Sequence, residues 1–448
     1  MMPPGPRTPV LWQTFRVVVT PKSHMRKMRR LYGDAIAFHT LLGKGIAVCE
    51  ASLAREVFAA PPDTFETIPV TGGIFGERAV ISTNGALHKK QRKLLNPPFH
   101  GPRVKALLGT MQSVVKRHLE PLASARVVPM TEITQAMTLD VILETVFGSS
   151  SSDVELDRGR DVLRDIIAGF APVIMTSQIF HTSLFPPWRR YLRARAAFDV
   201  WVTRIIEQRR RSGESGDDLL GLFLVTKYDD GEPMSDAEIR DHLITLLLAG
   251  HETSAIAIAW GTYWLLREPA VLAKLRAEIE ALGPSPSVEA LVRLPYLGAV
   301  VSESLRIEPI VTDVVRRCRV PFKVGKWTVP AGDHVGVMAS SILADERVYP
   351  EPDRFRPERF LERTYHPGEF MPFGGGQRRC LGAVFAEAEL AIAIAAIATE
   401  WDLELIGDRP ERAVRKNITM GPKHGVRVRV RGRRAAPTSS ARHPSIDV

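Results

Sequence analysis

Apolar residues recur at helical spacing over most of the chain. Between residues 51 and 309 they fall three and four apart, most clearly over 104–122, 131–147, 188–211, 235–267 and 268–282. Proline and glycine break the pattern, as in FPPW at 185 and DDGEP at 229. SDAE at 235–238 predicts the start of the longest helix, with Ser235 as N-cap and Glu238 at the capping-box position. Residues 34–48 have strand character around a Gly-Lys-Gly turn. After Pro309 the pattern changes. VTDVVRRCRVPFKVGKWTVPAGDHVGVM (311–338) is β-branched and turn-rich and reads as short strands. Residues 345–379 hold many Pro, Arg and Gly with little periodicity, and a loop that long inside a compact domain calls for a functional reason. A helix follows from 381 to about 400, then a VRVRV strand. The pattern predicts a mainly α protein with a smaller β portion. One domain covers 1–430, its β-rich part mainly 30–60 and 311–340, and 431–448 is expected to be a disordered tail.

Composition narrows this. The chain has 448 residues, 45% hydrophobic, enough for a large core. The apolar stretch 243–266 could span a bilayer by length, but His251, Glu252 and Thr253 sit at its centre, where ionisable groups are costly. A buried helix is the better reading. The N-terminal apolar run is broken by Arg16, so neither a signal peptide nor a membrane span is expected there. The net charge is +10, but the basic residues look scattered and no aromatic-interleaved stripe accompanies them, so nucleic acid is not an expected partner. The three cysteines, Cys49, Cys318 and Cys380, form no CxxC or CxxCH. That gives no support to a disulfide framework, a zinc ribbon or a c-type haem, and fits a reducing, cytoplasmic compartment.

Candidate chemistry centres on FGGGQRRCLG at 373–382. Cys380 precedes an Ala-rich helix, whose positive N-terminal end is expected to lower the thiol pKa and favour a thiolate. Gly374, Gly375, Gly376 and Gly382 remove side chains around it, so backbone can approach something flat and bulky. Arg378 could pair with a carboxylate in bidentate fashion. An ordinary buried thiol is the plainer alternative for a lone cysteine.

The spacing of five residues decides between them. Phe373, Gly376, Arg378, Cys380 and Gly382 match FxxGxRxCxG, and the chain therefore resembles the cytochrome P-450 superfamily over about residues 30–430. The resemblance implies a triangular α-rich domain with a small β-rich domain. It implies haem b with the Cys380 thiolate as axial iron ligand, Phe373 and Gly374 in the same loop, and O2 as co-substrate. Glu303 and Arg306 of ESLR, with Arg359 of FRPERF, would form the family's Glu-Arg-Arg triad. EQRR at 207 and EPDR at 351 match the same short pattern and read as surface pairs. AGHET at 249–253 resembles the oxygen-binding motif. Ala249 and Gly250 would make room over the iron, Thr253 would hydrogen-bond bound dioxygen, and Glu252 would relay protons. The plain alternative for Thr253 is a hydroxyl bonded back to the Ala249 carbonyl. HE also suggests a zinc protease, but HExxH needs His at 255, and Ala255 stands there. His88 and Arg92, four apart, would meet the haem propionates, as would Arg316 or its neighbour Arg317.

By the same resemblance, Ile68, Val70, Phe75, Phe170, Leu246, Ala249, Val311 and Met420 would line the substrate pocket. They are mostly apolar and suit a fatty acid, a terpenoid or a similar lipophile. PPGP at 3–6 looks like the proline hinge that follows the anchor of microsomal members, here without an anchor before it. A soluble bacterial-type monooxygenase and a monomer are therefore expected. Electrons from NAD(P)H would arrive through a separate ferredoxin or flavodoxin with its reductase. A basic rim of Lys89, Lys90, Lys93, Arg103, Lys105 and Arg379 would steer that donor. A peroxide-driven peroxygenase and a non-catalytic haem sensor are the competing readings, and the Glu252–Thr253 pair argues against both.

Overall fold

The computed structural model describes residues 2–148, 153–213, 216, 218–407 and 409–434. Helices dominate. They include α1 (Val10–Val19), α2 (Pro21–Tyr32), α3 (Gly85–Leu95), α4 (Pro102–Leu119), α5 (Met130–Phe147), α6 (Pro186–Ser212), α7 (Asp236–Arg267), α8 (Pro295–Ile307) and α9 (Ala383–Glu400). Ser235 caps α7 as its sequence predicts: its hydroxyl accepts from the Glu238 N–H while the Glu238 carboxylate accepts from the Ser235 N–H. Helix α7 is apolar nearly all round, which is the signature of a helix buried on every side. α5, α8 and α9 pack around it. Its polar centre is satisfied by α5. Thr134 and Thr138 hydroxyls donate to the carbonyls of Ala255 (2.9 Å) and His251 (3.0 Å), and His251 Nε2 lies 3.0 Å from the Gln135 carbonyl. The apolar stretch is thus the core helix of a large fold, long enough to cross a membrane but mostly enclosed by protein.

The strands are β1 (Ala35–Thr40), β2 (Gly43–Val48), β3 (Phe65–Glu66), β4 (Val127–Pro129), β5 (Val314–Cys318), β6 (Phe322–Val324), β7 (Trp327–Val329), β8 (His334–Val337), β9 (Trp401–Leu405), β10 (Ala413–Lys416), β11 (Thr419–Pro422) and β12 (Arg427–Arg433). Five form one sheet in the order β1-β2-β8-β5-β3, with β2 and β8 parallel and the other pairs antiparallel. Ile46, Val48, Val335, Val337 and Cys318 build a second, smaller core on it. β4-β12-β9 form a three-stranded sheet, and β6–β7 and β10–β11 are hairpins.

Two local expectations need correction. Thr40 pairs with Gly43, so the β1–β2 turn is Leu41-Leu42 and the Gly-Lys-Gly lies inside β2. There Gly45 serves the sheet: a Cβ on it would come within 2.0 Å of the His334 carbonyl oxygen on β8. The last strand also runs on to Arg433, past the boundary drawn at 430, because Gly432 and Arg433 still pair with β9 beyond a bulge. The rest of the expected tail, 435–448, lies outside the described residues.

Candidate active site

α9 starts at Ala383 with Gly382 before it, which puts Cys380 at the end of the long irregular segment. The loop closes on itself where the Cys380 N–H donates to the Phe373 carbonyl at 2.9 Å. Cys49 and Cys318 are buried, whereas Cys380 is accessible. The glycines divide into two groups. A Cβ on Gly375 would meet the Phe58 ring at 2.5 Å, and one on Gly376 would meet the Phe58 carbonyl at 2.3 Å. Those two are required by the close approach of Phe58. At Gly374 and Gly382 a Cβ would meet nothing within 4 Å, so open space adjoins the loop there. The net direction at Cys380 is upward rather than the lowering expected from the helix end. Its surface is accessible, yet the protein packed around the sulfur raises its pKa, outweighing the Gly382 N–H and the charges of Arg379 and Arg92. A bound metal cation, not the helix end, is what would hold a thiolate at this position.

Glu303 lies on α8 and Arg359 in the segment leading to the Cys loop. Arg306 Nε donates to Glu303 Oε2 at 2.6 Å and its Nη2 to Oε1 at 2.9 Å. Arg359 Nε donates to Oε1 at 3.1 Å, and the Arg356 N–H reaches the same oxygen at 2.8 Å. All three side chains are at most 2% exposed. The remaining guanidinium donors go to the carbonyls of Leu343, Pro350, Glu351 and Arg354, so no buried donor is left to destabilise the network. The competing EPDR pair, Glu351 and Arg354, is exposed at 3.6 Å, a solvated contact as its sequence suggested.

His88 and Arg92 on α3, Arg316 on β5 and Arg378 on the loop draw together, since each Arg charge disfavours a proton on His88. A cleft lined by Phe58, Phe65, His88, Val314, Arg316 and Arg378 opens between them. Burial and the three guanidiniums push His88 down to about 3, so it is neutral. Burial takes Arg316 and Arg378 down to about 10, and Arg92 is also lowered. Among the described residues no carboxylate pairs with any of the three arginines. Arg378 donates to the Thr83 carbonyl and to Asn84 Oδ1, both at 2.7 Å, Arg92 to the Arg379 carbonyl at 2.7 Å, and Arg316 only to the Val315 carbonyl. Arg317 instead pairs with Glu66, which leaves Arg316 as the strand residue facing the cleft. A buried cationic cluster lacking an acid suits a ligand that brings its own carboxylates. A haem with two propionates fits this donor set.

On α7, Ala249 is accessible in the middle of an otherwise buried helix, with Gly250, Leu246 and Thr253 half-buried beside it. Thr253 Oγ1 donates to the Ala249 carbonyl at 2.5 Å, the back-bond the plain reading predicts, so its lone pairs remain available to accept. Glu252 accepts from Asn417 Nδ2 at 3.3 Å and 3.4 Å, and burial raises its pKa despite that contact. Of the expected pocket residues, Ile68 and Phe170 are half-buried and Val311 is exposed. Val70, Phe75 and Met420 are buried, and Phe75 belongs to the main core. The expected basic rim is largely neutralised: Lys90 pairs with Asp230 at 2.6 Å, Lys93 with Asp229 at 2.8 Å and Lys105 with Glu289 at 4.0 Å. DDGEP, which reads only as a turn, brings those two aspartates back over α3.

Four further residues support or adjoin the residues singled out above. Asn84 orients Arg378, and Asn417 holds Glu252. Tyr349 lies under both triad arginines, its ring centre 5.1 Å and 6.0 Å from their guanidinium carbons. Glu389, on α9, is buried with both carboxyl oxygens unpartnered among the described residues, beside Ser254, and burial lifts its pKa to about 8. Asn84 stands at an N-cap position and could have been singled out from sequence. The other three depend on tertiary contacts.

A sequence model of the family described as cytochrome P-450 matches residues 2–427. Among curated relatives, cytochrome P-450 138 of Mycobacterium tuberculosis is 31% identical, over 96% of this chain and 97% of that protein. Cytochrome P-450 135A1 of the same species is 32% identical, over 96% and 95%. The solved structure of retinoic acid-bound cyanobacterial CYP120A1 superposes with a TM-score of 0.86 at 26% identity, covering 96% of this chain and 99% of that one. A cytochrome P-450DA haem domain, at 24% identity and a TM-score of 0.85, shares the fold. The chain therefore belongs to the cytochrome P-450 family, the monooxygenases that hold haem through a cysteine thiolate and use O2.

Proposed function

We propose that this chain hydroxylates or epoxidises a lipophilic small molecule, with Cys380 as the haem-iron ligand and electrons from a separate redox protein. The observation that carries the site assignment is the accessible Cys380, on a loop anchored by the buried Glu303 triad, beside three arginines that face no acid among the described residues. When bound, haem supplies the oxidative chemistry: two electrons and two protons reduce one atom of O2 to water while the other enters a C–H bond or an alkene.

The protein's own groups do the rest. Arg92, Arg316 and Arg378 receive the propionates, and neutral His88 donates an N–H to them without adding charge. Ala249 and Gly250, small residues on the accessible part of α7, would leave room for a bound haem and its substrate. Thr253 Oγ1 accepts a hydrogen bond while its own proton is held by Ala249. Glu252, raised by burial, keeps a proton more readily than an exposed carboxylate and can pass it toward that hydroxyl. Leu246, Ile68, Phe170 and Val311 give the substrate an apolar wall with no fixed charge. That wall, together with the retinoic acid held by the cyanobacterial relative, supports a lipophilic substrate such as a fatty acid or terpenoid.

The test is turnover under 18O2 with a surrogate ferredoxin, its reductase and NADPH, after a screen of lipophiles for substrate-induced shifts of the Soret band. A hit should yield product carrying one labelled oxygen. Label-free product formed only with added peroxide would favour a peroxygenase, and no turnover of any spectrally bound ligand would favour a sensor.

A further inference from the structure

Helix α1 is built inside out. Its inward face carries Gln13 and Thr14, both buried, while Leu11 (69% exposed), Trp12 (53%), Phe15 (51%) and Val19 (46%) point to solvent. At about 100° per residue these four fall within an arc of about 100° on one side of the helix. The cause is the edge of the five-stranded sheet. β1 is an edge strand, and its outward N–H groups need partners. The N-terminal segment supplies them at every second residue. The Ala37 N–H donates to the Pro4 carbonyl at 3.0 Å, the His39 N–H to Gln13 Oε1 at 3.0 Å and the Leu41 N–H to Thr14 Oγ1 at 2.9 Å. Polar side chains are thereby drawn inward and the apolar ones are left outside. Trp12 and Phe15 stack on each other, ring centres 5.8 Å apart, so they form one continuous patch.

The surrounding charge is one-signed. Residues 1–32 contain seven basic side chains, Arg7, Arg16, Lys22, Arg26, Lys27, Arg29 and Arg30, and no Asp or Glu. The basic residues are therefore not evenly scattered: this short stretch accounts for much of the net +10. Lys22, Arg26 and Arg29 are paired with Glu308, Asp353, Asp34 and Asp345. Arg7, Arg16, Lys27 and Arg30 form no ion pair among the described residues. Arg16 on α1 and Lys27 on α2 both act on His24, so the two helices bring their free cations together.

We propose that the outer face of α1, with its flanking free cations, is a docking surface for an anionic phospholipid membrane. Stacked Trp and Phe beside aliphatic side chains suit the boundary between headgroups and acyl chains, and the unpaired Arg and Lys suit lipid phosphates. A second copy of the chain fits poorly. A stable dimer buries roughly 800 Å² and about 20–30 residues per partner, whereas this patch offers four apolar side chains on a segment whose charge has one sign. The carboxyl-terminal RRAAPTSSARHPSIDV is itself basic and polar and gives the face no complement.

The test is co-flotation of the full-length holoprotein with vesicles of phosphatidylcholine alone or with about 30% phosphatidylglycerol. The parent should float with the anionic vesicles, and raising salt from about 0.1 M to about 1 M should weaken this as the Debye length falls from about 10 Å to about 3 Å. Trp12→Ser/Phe15→Ser and, separately, Arg7→Glu/Lys27→Glu should each cut the partition coefficient by about tenfold or more. Both should keep the parent's ferrous–CO spectrum and melting temperature, since these side chains touch neither core nor site. A parent that stays with the neutral-vesicle background, or variants that float like the parent, would overturn the proposal. So would a concentration-dependent dimer in sedimentation that the Trp12/Phe15 pair abolishes, because the face would then belong to a second copy.

Discussion

At the level of single residues, burial decides the chemistry more often than sequence position does. Cys380 illustrates it. Its place before a helix pointed to a low pKa, but the protein packed around an otherwise accessible sulfur raises it, and that desolvation cannot be read from the letters around a cysteine. Thr253 is finely balanced. Its back-bond to Ala249 exists, yet Ala249 and Thr253 are the accessible part of a buried helix, which is where a functional hydroxyl would lie. Thr253→Ala should leave haem content and NADPH consumption close to the parent while most of the reducing power is diverted to peroxide. A peroxide assay beside product quantification checks this, and unchanged coupling would leave only the helical role. Glu389 supports a pH prediction. Its folded pKa, near 8, lies above the ordinary value of 4.5, so the folded state binds the extra proton. Stability should therefore be fullest below about pH 4.5 and fall as pH rises toward about 8, by at most about 1.4 kcal/mol per pH unit. Glu389→Gln should flatten that loss, as read from unfolding midpoints between pH 5 and 8.

At the level of elements, helices were the legible part. α5, α6, α7 and α9 each fall within two residues of the ranges their apolar periodicity predicts, because each buries a wide face or its whole circumference. The β1–β2 turn was misread. Gly-Lys-Gly looks like a turn, but its glycines answer to His334 on β8, Gly43 to the side chain and Gly45 to the backbone, a contact some 290 residues away. In the Cys loop, Gly375 and Gly376 make room for Phe58, a contact no local pattern announces. Gly376→Ala should be poorly tolerated for that reason: φ is +65° and the Cβ would strike the Phe58 carbonyl. The triad fixes the same segment from the other side. Glu303→Ala leaves two buried guanidiniums without their acid, a loss of about 3–5 kcal/mol. Soluble yield and the ratio of haem to protein absorbance should both drop sharply, while Glu351→Ala, in the exposed pair, should change stability by no more than about 0.5 kcal/mol.

At the level of the whole molecule, three distant parts of the sequence meet at one place. α3 brings His88 and Arg92, β5 brings Arg316, and the Cys loop brings Arg378 and Cys380. The motifs announced the participants, but only the fold separates Arg316 from Arg317 and places Asp229 and Asp230 over the lysines meant for a donor. With those pairs in place, an acidic ferredoxin should be steered less by Lys90 and Lys93 than their number suggests. Asp229→Asn/Asp230→Asn should speed first electron transfer at low salt, and stopped-flow rates across a salt series would show it. Everything proposed for catalysis rests on one bond, from Cys380 to iron. The most direct measurement is the ferrous–CO difference spectrum of Cys380→Ser beside Cys49→Ser and Cys318→Ser. The two buried-cysteine variants should keep the red-shifted Soret band of a thiolate-ligated haem and Cys380→Ser should lose it. A red-shifted band surviving in Cys380→Ser would contradict the assignment.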